Sequence, residues 1–258
     1  MLILWSTSGG VIYPIIFRNL QPQIGFKWTE RAIALIVLVT LLLSLAIMRL
    51  RVQPSVKRRL FDSSAWGEWP YVFFVAGLVA TGLGLFIPIW YIQSFAMQKS
   101  DISAGITSYL ITILNAGGVA GRILPNFVSD KVGLLNMITP CSLLAGILAI
   151  CWTKVSNEAS IIVFAVLYGF FSASIVSLAP VGFVSLSPRL GVIGTRMGMG
   201  FAVMGCGLLI GPPVGGKILT SYGFVSLQIF TASGLIIGGL CMLFARISKA
   251  GTKIWIVI

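Results

Sequence analysis

Histidine is absent from the 258 residues, and only six acidic side chains stand against 18 basic ones. Without an imidazole, neither a His-ligated intramembrane metalloprotease centre nor a Ser-His dyad can be built. The acids are Glu30, Asp62, Glu68, Asp101, Asp130 and Glu158, and all of them fall in loops or at the ends of apolar runs. A catalytic carboxylate pair inside the apolar segments is therefore missing. The four cysteines, Cys141, Cys151, Cys206 and Cys241, all lie within apolar runs, at spacings that match neither a zinc site nor a disulfide framework. They are expected to be small buried hydrophobes. No metal-ligand set, cofactor motif or soluble catalytic signature is present, so no metal, cofactor or enzymatic activity is expected.

Charge is scarce as well. Only 9% of residues are charged and 57% are hydrophobic, against roughly 25% charged in an average soluble domain. Such a chain has too little polar surface to cover itself in water, and the solvent it matches is the lipid bilayer. The net charge of +12 does not indicate nucleic acid, because the basic residues separate apolar blocks instead of forming an aromatic-interleaved patch.

What the chain has in abundance is apolar runs near the roughly 20 residues that a spanning helix needs. Eight candidates occur: 2–17, 33–48, 71–95, 104–127, 134–153, 159–183, 197–219 and 224–245. The predicted fold is an all-α polytopic membrane protein. The first run begins at Met1 without a basic leader, so it is expected to be a span and not a cleaved signal peptide; its shortness points to truncation. The extended polar stretch is 49–69, holding Arg49, Arg51, Lys57, Arg58 and Arg59. The predicted organisation is two helices over 1–48, a cytoplasmic linker over 49–69, a six-helix body over 70–246 and a cytoplasmic tail over 247–258. With the linker inside, alternation places eleven of the 18 basic residues on the cytoplasmic side and six opposite, with Arg122 intramembrane. That bias has the sign of the positive-inside rule.

The fourth span carries the densest polar signal. Ser108, Thr112, Asn115, Arg122 and Asn126 fall within a stripe about 80° wide at 100° per residue. Facing lipid would be costly, so the stripe should line a helix contact or a watery cavity. Arg122 lies about 12 Å from the membrane exit near Asp130. A guanidinium facing a cavity suits a carboxylate, which it can hold bidentately; snorkelling to the headgroups is the alternative, and both remain open. In the seventh span Gly207, Gly211 and Gly215 recur at every fourth position around Pro212 and Pro213. This spacing suits close helix packing, or a hinge that exposes backbone polar groups to a midplane site. Gly82, Gly84, Pro88, Tyr91 and Gln93 in the third span pose the same choice. Asp130-Lys-Val-Gly133 predicts a tight turn, with Gly133 permitting it and Asp130 capping the next helix.

Taken together, the stretch from Gly9 to Pro14, Tyr91-Ile-Gln-Ser-Phe-Ala, Asn115 through Arg122-Ile-Leu-Pro, the Asp130–Gly133 loop and Gly211-Pro-Pro-Val-Gly-Gly216 resemble fungal monocarboxylate-permease-like members of the major facilitator superfamily. The resemblance covers nearly the whole chain and implies helices five to twelve of a twelve-helix fold. It implies proton-linked or facilitated movement of small carboxylates by alternating access, with Arg122 at the position that contacts the substrate carboxylate in relatives; Asn115 and Thr112 of the same stripe, and Tyr91, are the further candidate substrate contacts. Asp130, Gly133, Gly211, Pro212 and Pro213 are the candidate gating or hinge positions. The implied partners are a small organic anion, a proton, the bilayer and a complementary N-terminal half, in the plasma membrane or else an organelle membrane such as the vacuole. Three positions depart from the family pattern: Gly118 replaces an acid one turn before Arg122, Asn126 replaces a Gly and Leu134 replaces a basic residue. A fragment that no longer transports, and only associates with other membrane proteins or is degraded, is the rival expectation.

Overall fold

The computed structural model describes residues 2–48, 61–98 and 102–251, and every regular element among them is helical. The chain divides into two compact units, Met1–Lys57 and Arg58–Ile258. In the first, α1 (Leu2–Ile47) is two rods joined at Gly25, whose φ of 76° lies in the left-handed region that glycine enters without steric cost. The Thr29 hydroxyl donates to the Gly25 carbonyl at 2.9 Å, and the Phe17 and Phe26 rings meet edge to face across the break, centroids 5.9 Å apart. The polar residues between the two predicted spans are helical on both sides of Gly25. Gln, Lys, Glu and Arg are good helix formers, so the helices outrun the apolar stretches and only the glycine interrupts them.

The second unit opens with a short 3-10 turn (Ser63–Gly67) and continues through α2 (Trp69–Leu85), α3 (Ile87–Met97), α4 (Ala104–Val132), α5 (Leu134–Cys151), α6 (Glu158–Ser185) and α7 (Ile193–Ala250). Within α7, Gly223 at φ 80° separates rods 193–222 and 224–250. Among the described residues six helical segments are long and apolar enough to cross a membrane, and two of these are broken at Gly25 and Gly223. The predicted third span is also interrupted, at Phe86. Pro88 has no N–H to offer the Gly84 carbonyl, which accepts from Phe86 instead. The adjacent Leu85 carbonyl accepts the hydroxyl of Tyr168, a fully buried α6 side chain, at 2.9 Å. Tyr168→Phe should lower stability by about 1 kcal/mol, the worth of one buried hydrogen bond, measured as a loss of midpoint in a chemical denaturation of the detergent-solubilised protein.

Lipid is as apolar as leucine, so helices in a bilayer are held by close packing and interhelical hydrogen bonds. Glycine supplies the contacts of α2 with both rods of α7. On one side Gly207 and Gly211 of α7 press against the carbonyls of Val79 and Leu83. On the other, Gly77 and Gly84 face Gly238 and Thr231 of the second α7 rod. Ser142 of α5 ties this layer together, donating to the Leu235 carbonyl at 2.9 Å and lying 3.4 Å from the Thr81 hydroxyl. The cysteines depart from expectation: Cys141 is buried, but Cys151 and Cys206 are exposed. In a lipid-facing chain an apolar residue has no need to point inward.

The ends of the unit sort as the alternation requires. Arg196 meets Asp62 and Glu68, Arg246 donates to Asn136 and Lys249 to the Ser185 carbonyl. These contacts gather the start of α2, the α4–α5 turn, the α6–α7 connection and the end of α7 at one end. At the other, the Ser103 N–H donates to Glu158 at 2.7 Å and joins the starts of α4 and α6. The five basic residues of the predicted linker lie outside the described residues. The predicted cap at the α4–α5 turn does not form: α4 runs on through Asp130 and Lys131 to Val132, and the N-cap of α5 is Gly133, at φ 94°, without a side-chain cap bond.

Candidate functional site

The polar stripe of α4 is set by that helix's contact with α6. Gly117, Gly121 and Gly169 leave so little room that an added Cβ would lie 2.3 Å from the Val166 oxygen, 2.0 Å from the Phe170 oxygen and 2.0 Å from the Leu114 oxygen. Ser174 fastens the crossing by donating to the Gly121 carbonyl at 2.8 Å, and Asn126 donates to the Ser177 hydroxyl at 3.0 Å. The buried face of α4 runs through Thr107, Leu110, Leu114, Gly118, Gly121, Pro125 and Ser129. At 100° per residue the stripe is centred about 100° away from that face. Thr112, Asn115, Arg122 and Asn126 are consequently half-buried and Ser108 is exposed. They flank the contact instead of filling it. Arg122 follows directly on Gly121, so one of the two tightest points of the α4–α6 crossing fixes the position of Arg122 along that contact.

Tyr91 sits on α3 with its hydroxyl 3.5 Å from the Pro212 carbonyl and directly over Gly216, where an added Cβ would lie 2.9 Å from that oxygen. The Gln93 amide, 3.3 Å from the Thr107 carbonyl, sets the register of α3 on α4. Tyr91 is thus within about a turn of the level of Thr112, while Arg122 lies roughly 20 Å farther along the axis than Thr107. The predicted binding residues occupy two levels, Tyr91 with Thr112 and Arg122 alone, with Asn115 between. Among the predicted hinge residues, Pro212 and Pro213 stay within α7, whose non-helical backbone is confined to Gly223. Gly211 packs against Leu83, where an added Cβ would lie 2.3 Å from the carbonyl oxygen. Gly133 makes the α4–α5 turn and Asp130 is exposed beside it. Among the described residues no group of three His, Cys, Asp or Glu side chains is placed to hold a metal.

The largest polar feature went unread in the sequence. Arg196 is 1% exposed, its Nε donating to Asp62 at 2.9 Å while Nη1 and Nη2 grip both Glu68 oxygens at 2.8 and 2.6 Å. Its carbonyl accepts the Tyr71 hydroxyl at 2.8 Å, and its guanidinium stands 5.8 Å from the Tyr71 ring centroid. Hydrogen bonds from Ser64 and then Arg196 hold the Asp62 carboxyl below the ordinary carboxylate range. The usable signal was scarcity: two of only six acids lie within one short polar stretch.

A family model described as Major Facilitator Superfamily matches residues 71–254. The chain belongs to that superfamily. Major facilitator proteins are transporters and not enzymes, and the chain is accordingly a multi-pass integral membrane protein with part of the major facilitator fold. Among curated relatives it is 42% identical to "MFS-type transporter dbaD" of Emericella nidulans, over 83% of this chain and 48% of the relative. It is 36% identical to "Aspyridones efflux protein apdF" of the same species, over 93% and 50%. To "Agnestins efflux protein AgnL12" of Paecilomyces divaricatus it is 31% identical, over 96% and 57%. The chain spans about half the length of these relatives.

Proposed function

We propose that this major facilitator chain forms the Arg122-bearing wall of a transporter that moves a small organic anion, monocarboxylate-like in its charge, by alternating access. The observation that carries the reading is a half-buried guanidinium on a polar stripe of α4, since a planar fork of donors in a low-dielectric cavity favours a carboxylate over a neutral solute. The names of two relatives supply the direction, because both are efflux proteins. Outward movement across the plasma membrane of the producing cell, with a proton as coupling ion, is the form that fits. A midplane site in this fold is walled by both halves, so a complementary N-terminal half completes the cavity. The half-length match favours a second reading, in which the chain alone assembles in the membrane but does not transport.

Labelled lactate serves as the probe, in proteoliposomes holding this chain with and without a co-expressed N-terminal half. Flux from the chain alone above that of empty vesicles would reject the fragment reading. Where flux appears, Arg122→Lys should raise the half-saturating lactate concentration at least tenfold, because an ammonium cannot reproduce bidentate contact. An unchanged value would end the anion-binding role of Arg122.

A further inference from the structure

At the end of the second unit opposite Arg196, a groove of about 490 Å³ runs between the last turn of α5 and the first turns of α6. Leu148, Val155, Val163, Phe164 and Leu167 line it, with Lys154 at its mouth. We propose that this groove is a binding site for one anionic phospholipid, an acyl chain lying in the apolar trough and the headgroup phosphate resting on Lys154.

Three observations support the assignment. The walls belong to two spans whose outward residues are large and apolar, with Ile147 and Ile150 of α5 and Val166 of α6 between 40 and 50% exposed, so this face meets acyl chains and not water. The groove also lies where the spans end. The exposed Lys154 stands at headgroup level, and a cation there attracts anionic lipid with a preference of about fivefold. Among the ten residues that line the groove Lys154 is the one that carries a charge; Glu158, which is not among them, accepts the Ser103 N–H at 2.7 Å, and Asn157 and Ser160 satisfy each other in a capping box. Lys154 is therefore the side chain at the mouth with charge to offer a phosphate. The floor is rigid: Phe164 stacks on the fully buried Trp152 with centroids 5.4 Å apart, and Trp152 packs edge to face on Phe95. A trough with a stiff aromatic floor holds its shape without lipid, so it binds one chain instead of closing over.

The experiment is native mass spectrometry of the full chain released from nanodiscs of phosphatidylglycerol and phosphatidylcholine in equal parts. The expected result is one retained phosphatidylglycerol, favoured about fivefold over phosphatidylcholine, with the preference lost in Lys154→Gln. Val163→Trp fills the groove from an exposed position, so the fold tolerates it; this variant should retain neither lipid. Alkylation of Cys151, an exposed groove residue, gives an independent reading and should slow when phosphatidylglycerol is present. Equal retention of the two lipids by the unaltered chain, retention that survives Val163→Trp, or a second protein copy protecting Cys151 without lipid would each overturn the proposal.

Discussion

Gly121→Ala is expected to destabilise the detergent-solubilised protein by about 3 kcal/mol or more, and Gly205→Ala to leave it unchanged or slightly more stable. Both glycines are helical and both substitutions add one methyl group, so their difference isolates what surrounds the position. At Gly121 the new carbon would sit 2.0 Å from the Phe170 backbone oxygen. A carbonyl within a helix cannot rotate aside, so α4 and α6 must separate by about 1 Å, forfeiting dispersion along the whole crossing. Overpacking alone costs typically 1–3 kcal/mol, and the Ser174 and Asn126 hydrogen bonds that span the same contact would lengthen as well. At Gly205 nothing lies within 4 Å, and alanine is the better helix former by up to about 1 kcal/mol. Denaturation midpoints of the two variants and the parent check this. Similar losses at both positions would mean that the α4–α6 approach is looser than the structure has it. Where the proposed lactate flux appears, Gly121→Ala should lower it together with stability, because displacing α4 moves Arg122 with it.

The glycine pattern was visible in the sequence; its partners were not. Repetition at every fourth residue over Gly207–Gly215 announces a helix face that approaches another closely, and the structure places Gly207 and Gly211 on α2 carbonyls. Nothing in such a repeat says which helix is met. Nor does it reveal Gly169, which has no glycine three or four residues away in α6 yet is as tightly engaged as Gly121. Spans were legible because bilayer thickness fixes their length, and for the same reason turns were less so. A one-glycine break such as Gly223 leaves polar and apolar residues helical on both sides, so hydropathy marks the turn only approximately. The α4 stripe was legible as a face, but the distance between Tyr91 and Arg122 depended on the register of α3, set by a contact between Gln93 and a backbone carbonyl. Side-chain periodicity carries no record of backbone acceptors.

Arg196 shows the limit most sharply, and the second large effect follows from it. In sequence it is one basic loop residue among several, adequately explained by the positive-inside rule. In the structure it is the anchor that fastens the segment before α2 to the first turn of α7, across residues more than a hundred positions apart. Arg196→Met removes the cation while keeping much of the side-chain volume, leaving Asp62 and Glu68 without their partner. Breaking a buried pair in this way typically costs 3–5 kcal/mol. Glu68 is 42% exposed and can turn to water, so screening reduces the expected loss to about 2 kcal/mol. The pH dependence carries the sign of a depressed carboxyl. The folded Asp62 titrates below its unfolded counterpart, so its contribution is complete above the ordinary carboxylate range and disappears as pH falls through the folded value. In the parent, stability should therefore decline on acidification below about pH 4, and Arg196→Met should flatten that decline because the hydrogen bond and the charge of Arg196 that lower Asp62 are gone. Denaturation midpoints of the two proteins between pH 7 and pH 3 make the comparison, and parallel curves would show that Asp62 owes its acidity to Ser64 alone. Because the clamp lies at the end of the fold opposite the phospholipid groove, Arg196→Met should leave phosphatidylglycerol retention untouched, which separates loss of the clamp from general loss of structure.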